Sequence, residues 1–368
     1  MKKYLILVIL WLAAGCAGGA AAAPTAAPLP TATSLPATPT AQPPQPSATP
    51  ETPQALPMTW DGHGLSGHLL LVLFRESGDA LIKLDLETGA FETLFQAPQG
   101  SRLHTAALSP DGQQLALAYA PPRAGETQLG YTDLYLLEPG SADPPRMLKQ
   151  RQDADESYFG PLWSPDGKTL SYSHFYAASV EGKPVYHYAS ERTDLSGSAE
   201  VLVEDSFWPV FSPDGSRLAY VSVDPVTDNN DLYIAGADGS NPRALTSPGV
   251  TPPVDSHFFS ADGSRIYFSM VNAESPPSTS WWENLFGIKV VNAHSEASDW
   301  YKVPAEGGKI ERVTYANDTG LYGAISPDGQ RLAYISVSGL FAVNTDGSDL
   351  IQLSDAVFQG QGNIQWLP

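Results

Sequence analysis

The sequence predicts an all-β fold, a six-bladed β-propeller of four-stranded antiparallel blades. Three observations carry that expectation. Five segments repeat one turn: Leu108-Ser-Pro-Asp-Gly112, Trp163-Ser-Pro-Asp-Gly167, Phe211-Ser-Pro-Asp-Gly215, Phe259-Ser-Ala-Asp-Gly263 and Ile325-Ser-Pro-Asp-Gly329. Each turn is followed by a short alternating apolar run. The first and last units of the series each lack something the other supplies, so the ring closes by pairing N- and C-terminal strands. A strand–turn–strand unit cannot bury its apolar face alone, so its copies must pack on one another.

The turn is readable residue by residue. Pro presets φ, Asp bonds nearby backbone and Gly tolerates positive φ. Four positions after each repeat Asp stand Leu115, Leu170, Leu218, Ile266 and Leu332. Six positions after it stand Leu117, Tyr172, Tyr220, Phe268 and Tyr334. Spacing by two puts both on one face of a strand. The residue three before the Asp is always apolar, so the turn joins two core-facing strands.

Later strands complete each blade. Asp231-Leu-Tyr-Ile234 leads through an Asp-Gly turn to Arg243-Ala-Leu-Thr246. Leu340-Phe-Ala-Val343 does the same to reach Leu350-Ile-Gln-Leu353. Both turns read as hairpin connections, and four antiparallel strands make one propeller blade. Repeat Asp residues are 55, 48, 48 and 66 positions apart, which implies insertions in the longer units. An earlier unit lacks the repeated turn: Gly67-His-Leu-Leu-Leu-Val-Leu-Phe74 reads as a second strand, with strands near residues 80–85 and 91–95 after it. Asn363-Ile-Gln-Trp-Leu367 reads as the missing inner strand, and pairing it there removes an open edge. Six blades result; the alternative is seven, should the insertion near residues 272–300 hold another.

These repeats, each Asp-Gly turn running into a Leu-Ala-Tyr-like strand, resemble the TolB-type propeller family over roughly residues 59–368. The resemblance implies the fold. It implies no single function, because that family includes binding proteins, peptidase accessory domains and sugar-cleaving enzymes.

Residues 1–15 read as a signal peptide: a basic Met1-Lys-Lys3, an apolar run from Tyr4 to Leu12, and Ala13-Ala-Gly-Cys16, which resembles a bacterial lipoprotein cleavage box. Cys16 is then the lipid attachment point and the link to a membrane; the alternative is a plain secretory signal with an incidental cysteine. It is the sole cysteine, so no internal disulfide forms. Residues 16–57 are rich in Pro, Thr, Ala and Ser and read as a disordered stalk. Fully extended at about 3.1 Å per residue, it reaches about 125 Å. The propeller is expected over residues 58–368. Together these features place the chain in the cell envelope, extracytoplasmic.

Twenty Lys and Arg stand against 40 Asp and Glu, a formal net charge of −20. So acidic a chain argues against nucleic acid as a partner. Asp224, Asp228 and Asp231 form an oxygen-rich group suggestive of Ca²⁺, but without calcium-loop spacing, so no cofactor is assigned. No Gly-x-Ser-x-Gly elbow, phosphate loop or His-Glu-x-x-His occurs.

Propeller geometry sorts the loops onto two faces. The repeated turns and the third-to-fourth strand turns share one face and are short. The opposite face carries the second-to-third strand loops and inter-blade links, with long segments at 121–131, 174–188, 223–231 and 271–300. Binding residues concentrate on such loops. In the last of them Trp281, Trp282 and Phe286 fit helical spacing and form either a docking tip or local core. At the channel mouth the sequence places His104, Tyr158, Trp208, Asp255, His257 and Tyr322. The expected function is non-enzymatic binding of a protein, peptide or glycan. The alternative is a carbohydrate-active lyase or hydrolase, with Asp155, Glu156, Asp205 and Asp255 as carboxylates and His104 or His257 as a base.

Overall fold

The computed structural model describes residues 54–56, 64–122, 131–180, 183–224, 229–272, 296–359 and 362–368. Six antiparallel sheets form the six blades of a β-propeller. Blade one holds β1 (Gln54–Ala55), β2 (His68–Leu73), β3 (Ala80–Asp85) and β4 (Ala90–Gln96). Blade two holds β5 (Arg102–Leu108), β6 (Leu115–Ala120), β7 (Asp133–Leu137) and β8 (Arg146–Lys149). Blade three holds β9 (Ser157–Trp163), β10 (Leu170–Val180), β11 (Lys183–Thr193) and β12 (Ala199–Glu204). Blade four holds β13 (Ser206–Phe211), β14 (Arg217–Val223), β15 (Asn230–Gly236) and β16 (Arg243–Ala244). Blade five holds β17 (Val254–Phe259), β18 (Arg265–Val271), β19 (Ser298–Pro304) and β20 (Glu311–Arg312). Blade six holds β21 (Tyr322–Ile325), β22 (Arg331–Ser336), β23 (Gly339–Asn344) and β24 (Ile351–Ser354).

Two C-terminal segments, β25 (Phe358–Gln359) and β26 (Gln365–Leu367), pair with β2 and close the ring. Leu69 faces Trp366 and Val72 faces Gln359 across that seam. The Gln365 side-chain amide then continues the ladder into blade two, accepting from the Leu108 N–H at 2.7 Å and donating to its carbonyl at 3.1 Å.

Each repeated turn is held the same way. The Ser hydroxyl donates to the Asp carboxylate, at 2.5–2.7 Å in all five, and accepts the backbone N–H five residues on. The core lies between blades. Ala116, Ala118, Leu134 and Leu136 of blade two meet Tyr158, Leu170 and Tyr172 of blade three. Phe258, Tyr267 and Trp300 of blade five meet Leu332, Tyr334 and Val343 of blade six.

A second device recurs where the third strand begins. Asp79, Asp133, Asp231 and Asp299 are all buried there. Each accepts a hydrogen bond from the chain leading to the next blade: Leu103 N–H, Arg151 N–H, Thr246 Oγ1 and Thr314 Oγ1, at 2.7–2.9 Å. Both oxygens of Asp231 are engaged, the second by the Asn229 amide at 2.7 Å. Asp228 lies outside the described residues, and Asp231 works as a blade-linking acceptor.

Two expectations change. Within the segment 174–188, expected as a long loop, residues 174–180 and 183–188 form a β-ribbon: β10 and β11 pair along eleven positions each, from Leu170↔Thr193 to Val180↔Lys183. Aromatic residues Phe175, Tyr176, Tyr186 and Tyr188 favour the strands although Ser and His break the apolar pattern. Ahead of the expected boundary at residue 58, Gln54 and Ala55 already pair with Phe91 and Ala90. Among the described residues no helix is long and apolar enough to cross a membrane.

Candidate functional site

The inner strands of blades two to five all slip register near their loop-face ends. His104 is an extra residue between the pairs Leu103↔Tyr119 and Thr105↔Ala118. Gly160-Pro161 oppose the single Tyr172, Trp208-Pro209 oppose Tyr220, and Asp255-Ser256 oppose Ser269. A bulge re-aims the side chain it carries. Trp208 sits there at φ 54°, and its N–H is held by Ser173 Oγ at 2.7 Å.

Contacts between blades that are not neighbours mark the ring axis. Trp208 of blade four meets Tyr322 of blade six edge-on, ring centres 6.0 Å apart. Asn363, next to β26, takes the Ser256 hydroxyl on its Oδ1 at 2.5 Å and donates to the His257 carbonyl at 2.5 Å. Gly362 packs so closely that a Cβ there would stand 3.0 Å from Thr105 Cγ2 and 3.5 Å from Gly160 Cα. Blades two to six thus each place residues against one another or against the C-terminal segment near the axis.

Of the sequence-predicted residues, Trp208, Asp255, His257 and Tyr322 come together in this zone, while His104 occupies the equivalent bulge of blade two; all five are buried. Burial, reinforced at His104 by the Arg102 charge, lowers the His104 imidazole to about 4. Burial takes His257 to about 4 as well, against backbone groups of Ala219, Asp255 and Trp208 that favour its charged form. Those backbone groups are near, yet neither His257 nitrogen makes a well-aligned hydrogen bond. Both rings are neutral at pH 7. Burial and the Asp255 charge push the Tyr322 phenol well up.

Tyr158 belongs elsewhere. It stacks on His174 at 4.5 Å, and His174 is clamped between two carboxylates. Its Nδ1 is 2.7 Å from Glu191 and its Nε2 is 2.8 Å from Glu156. Tyr158 donates to Glu156 at 2.6 Å and Tyr172 to Glu191 at 2.8 Å. Burial pushes both glutamates up, but hydrogen bonds from Tyr158, from backbone N–H groups and from His174 outweigh it at Glu156. Those from His174 and Tyr172 outweigh it at Glu191, so both end low. Sequence reading did not find this clamp. The signal was the register that sets Tyr172 opposite Glu191 and His174 opposite Tyr158. Glu156 is engaged in this clamp, and Asp255 is buried beside His257 and Tyr322.

The four most exposed large apolar side chains among the described residues lie on the loop face. Val250, Tyr315 and Val357 lie on inter-blade links and Val337 on the β22–β23 turn, with 61–82% of each residue accessible. Tyr186 on the blade-three ribbon is 53% accessible. Trp281, Trp282 and Phe286 lie outside the described residues, as does Cys16.

This architecture defines a fold class, the six-bladed β-propellers. No family model matches the chain. It is 30% identical over 171 residues to Tricorn protease homolog 1 of Streptomyces coelicolor, covering 45% of this chain and 14% of that protein. It is 36% identical over 88 residues to the Tol-Pal system protein TolB of Anaeromyxobacter dehalogenans, 24% of this chain and 18% of that protein. The matches thus span less than a fifth of either curated relative. The solved structure of a putative TolB from Agrobacterium tumefaciens superposes with a TM-score of 0.51 at 18% identity, over 83% of this chain and all of that one.

Proposed function

We propose that the protein is a non-enzymatic binding module. A lipid on Cys16 holds it at the outer side of a membrane, and the Pro- and Thr-rich segment that follows, ending before the Gln54–Ala55 strand, carries the propeller to its partner, a protein, peptide or glycan. The observation that supports this reading is the loop face. Val250, Tyr315, Val337 and Val357 stand exposed on that one face of an acidic molecule, while His104, Trp208, His257 and Tyr322 are buried. Exposed apolar groups gathered on one side are characteristic of interaction sites.

The test places a photo-crosslinking residue at Tyr315 or Val337 in the native host, with Met147 and Leu350 as controls away from that face. Adducts from the first pair alone are expected; equal adducts from both pairs overturn the reading. Cys16→Ser should move the protein from the membrane fraction to the soluble one. The enzymatic alternative draws on Asp255 beside the neutral His257. Polysaccharide turnover by the purified protein, abolished by Asp255→Asn, would replace the binding reading.

A further inference from the structure

We propose that the blade-three ribbon is a strand-addition site for a basic, extended segment of a partner protein. The inference rests on the loop face being the binding face, and it names the chemistry of what binds there. The ribbon outgrows its own blade. The last pair between β9 and β10 is Ser157↔Phe175, and the last between β11 and β12 is Ala189↔Glu204. Beyond them, residues 176–180 and 183–187 pair with each other and, among the described residues, with no further strand.

A strand edge of this kind offers main-chain donors and acceptors, which another extended polypeptide satisfies and a glycan does not. Proteins commonly blunt such edges with charge or proline, and Pro184 lies near the tip. Just past it, the free stretch of β11 is instead apolar and exposed at Val185 and Tyr186. Stacked rings stiffen it: Phe175 lies 5.5 Å from Tyr186 and tilted only 8°, and Tyr131 stacks on Phe175 at 6.2 Å.

Charge selects the occupant. A strand laid along the outer edge of β11 continues the line of β12, so it meets Glu204 at the end of β12 and Asp205 just after. Glu204 is exposed and lies 3.4 Å from the Tyr176 hydroxyl, while Asp205 is 3.6 Å from His187. Burial and the Glu204, Asp205 and Glu191 charges raise the Tyr176 phenol, a sign of negative potential converging there. The Tyr176 and His187 rings stack at 5.5 Å and offer an aromatic surface beside those carboxylates. Lys or Arg side chains suit carboxylates and aromatic faces together. Acidic strands and nucleic acid are repelled.

The test uses the folded full chain and three labelled peptides: alternating Lys/Val/Thr, the same with Glu for Lys, and the first interrupted by Pro. The basic peptide is expected to bind at least about tenfold tighter than either of the others in fluorescence anisotropy. Hydrogen exchange should slow at residues 183–187 on binding. Glu204→Lys combined with Asp205→Asn should weaken the basic peptide at least tenfold; Tyr186→Ser is a second variant at an exposed position. Equal affinities, no binding, or slowed exchange confined to other segments overturns the proposal. Crosslinks from Tyr315 and Val337 that persist in the Glu204→Lys/Asp205→Asn protein would leave the binding face standing while this inference falls.

Discussion

His104 and His257 are the side chains on which acid should act first. Each is neutral in the folded chain, at about 4, against an ordinary value near 6.5. A base lowered by folding binds fewer protons folded than unfolded between those values. Its contribution is complete above about pH 6.5 and declines as pH falls toward 4. A shift of that size is worth on the order of 3 kcal/mol per ring at most. Urea midpoints should drop between pH 7 and pH 5, and His257→Phe should flatten the trend; equal slopes in variant and parent would refute it. Glycines give a second prediction at this scale. Gly239 has φ +78°, and a Cβ there would stand 2.2 Å from the Leu202 carbonyl oxygen on the preceding blade. Gly100 has φ +84° and nothing within 4 Å. Gly239→Ala should cost about 3 kcal/mol or more, Gly100→Ala about 1–2, both read from denaturation midpoints.

The blade-three clamp is where element and side chain meet. His174 spans both glutamates through its two ring nitrogens, and two phenols complete the set. His174→Phe keeps the ring volume and leaves two buried carboxylates short of a partner, a change expected to cost about 3–5 kcal/mol. Its pH dependence carries a sign. In the parent, Glu156 and Glu191 lie below the ordinary 4.5, so their contribution is present above that value and lost as pH falls through their folded values. In His174→Phe the carboxyls lose that support and burial raises them, so the deficit should shrink from pH 7 to pH 5. A deficit constant with pH would argue that lost packing explains it all. The repeated turns were legible because Ser, Pro, Asp and Gly act within five residues. The clamp was not, because Glu156 and Glu191 reach His174 from 18 and 17 positions away and meet only through strand register. The same holds at the axis. The sequence placed His104 and Asp255 at the channel mouth, but it cannot reveal the bulges that carry them into the interior.

The ring as a whole depends on its last residues. The sequence exposed this dependence, since Gly67–Phe74 lacked an inner neighbour and residues 363–367 lacked a turn. What it concealed was how many clasps the tail makes. β26 pairs with β2, the Gln365 amide bridges to Leu108, Asn363 holds Ser256 and the His257 carbonyl, and the Trp366 indole donates to the Ser66 carbonyl at 3.0 Å. Blades one, two and five are thereby tied through six residues. Propeller blades contact chiefly their neighbours, so a ring opened at one seam loses its cooperativity from that seam outward. Deleting residues 363–368 should lower the melting temperature by roughly 10 °C or more, at about 2–4 °C per kcal/mol for a domain of this size. It should also bare the inner edge of β2, an invitation to self-association. Trp366→Ala removes one clasp and keeps the strand, so it should melt a few degrees low and stay unassociated by light scattering. A truncated chain that melts like the parent and scatters as the same species would mean that blade stacking alone holds the circle shut, and that the tail merely decorates it.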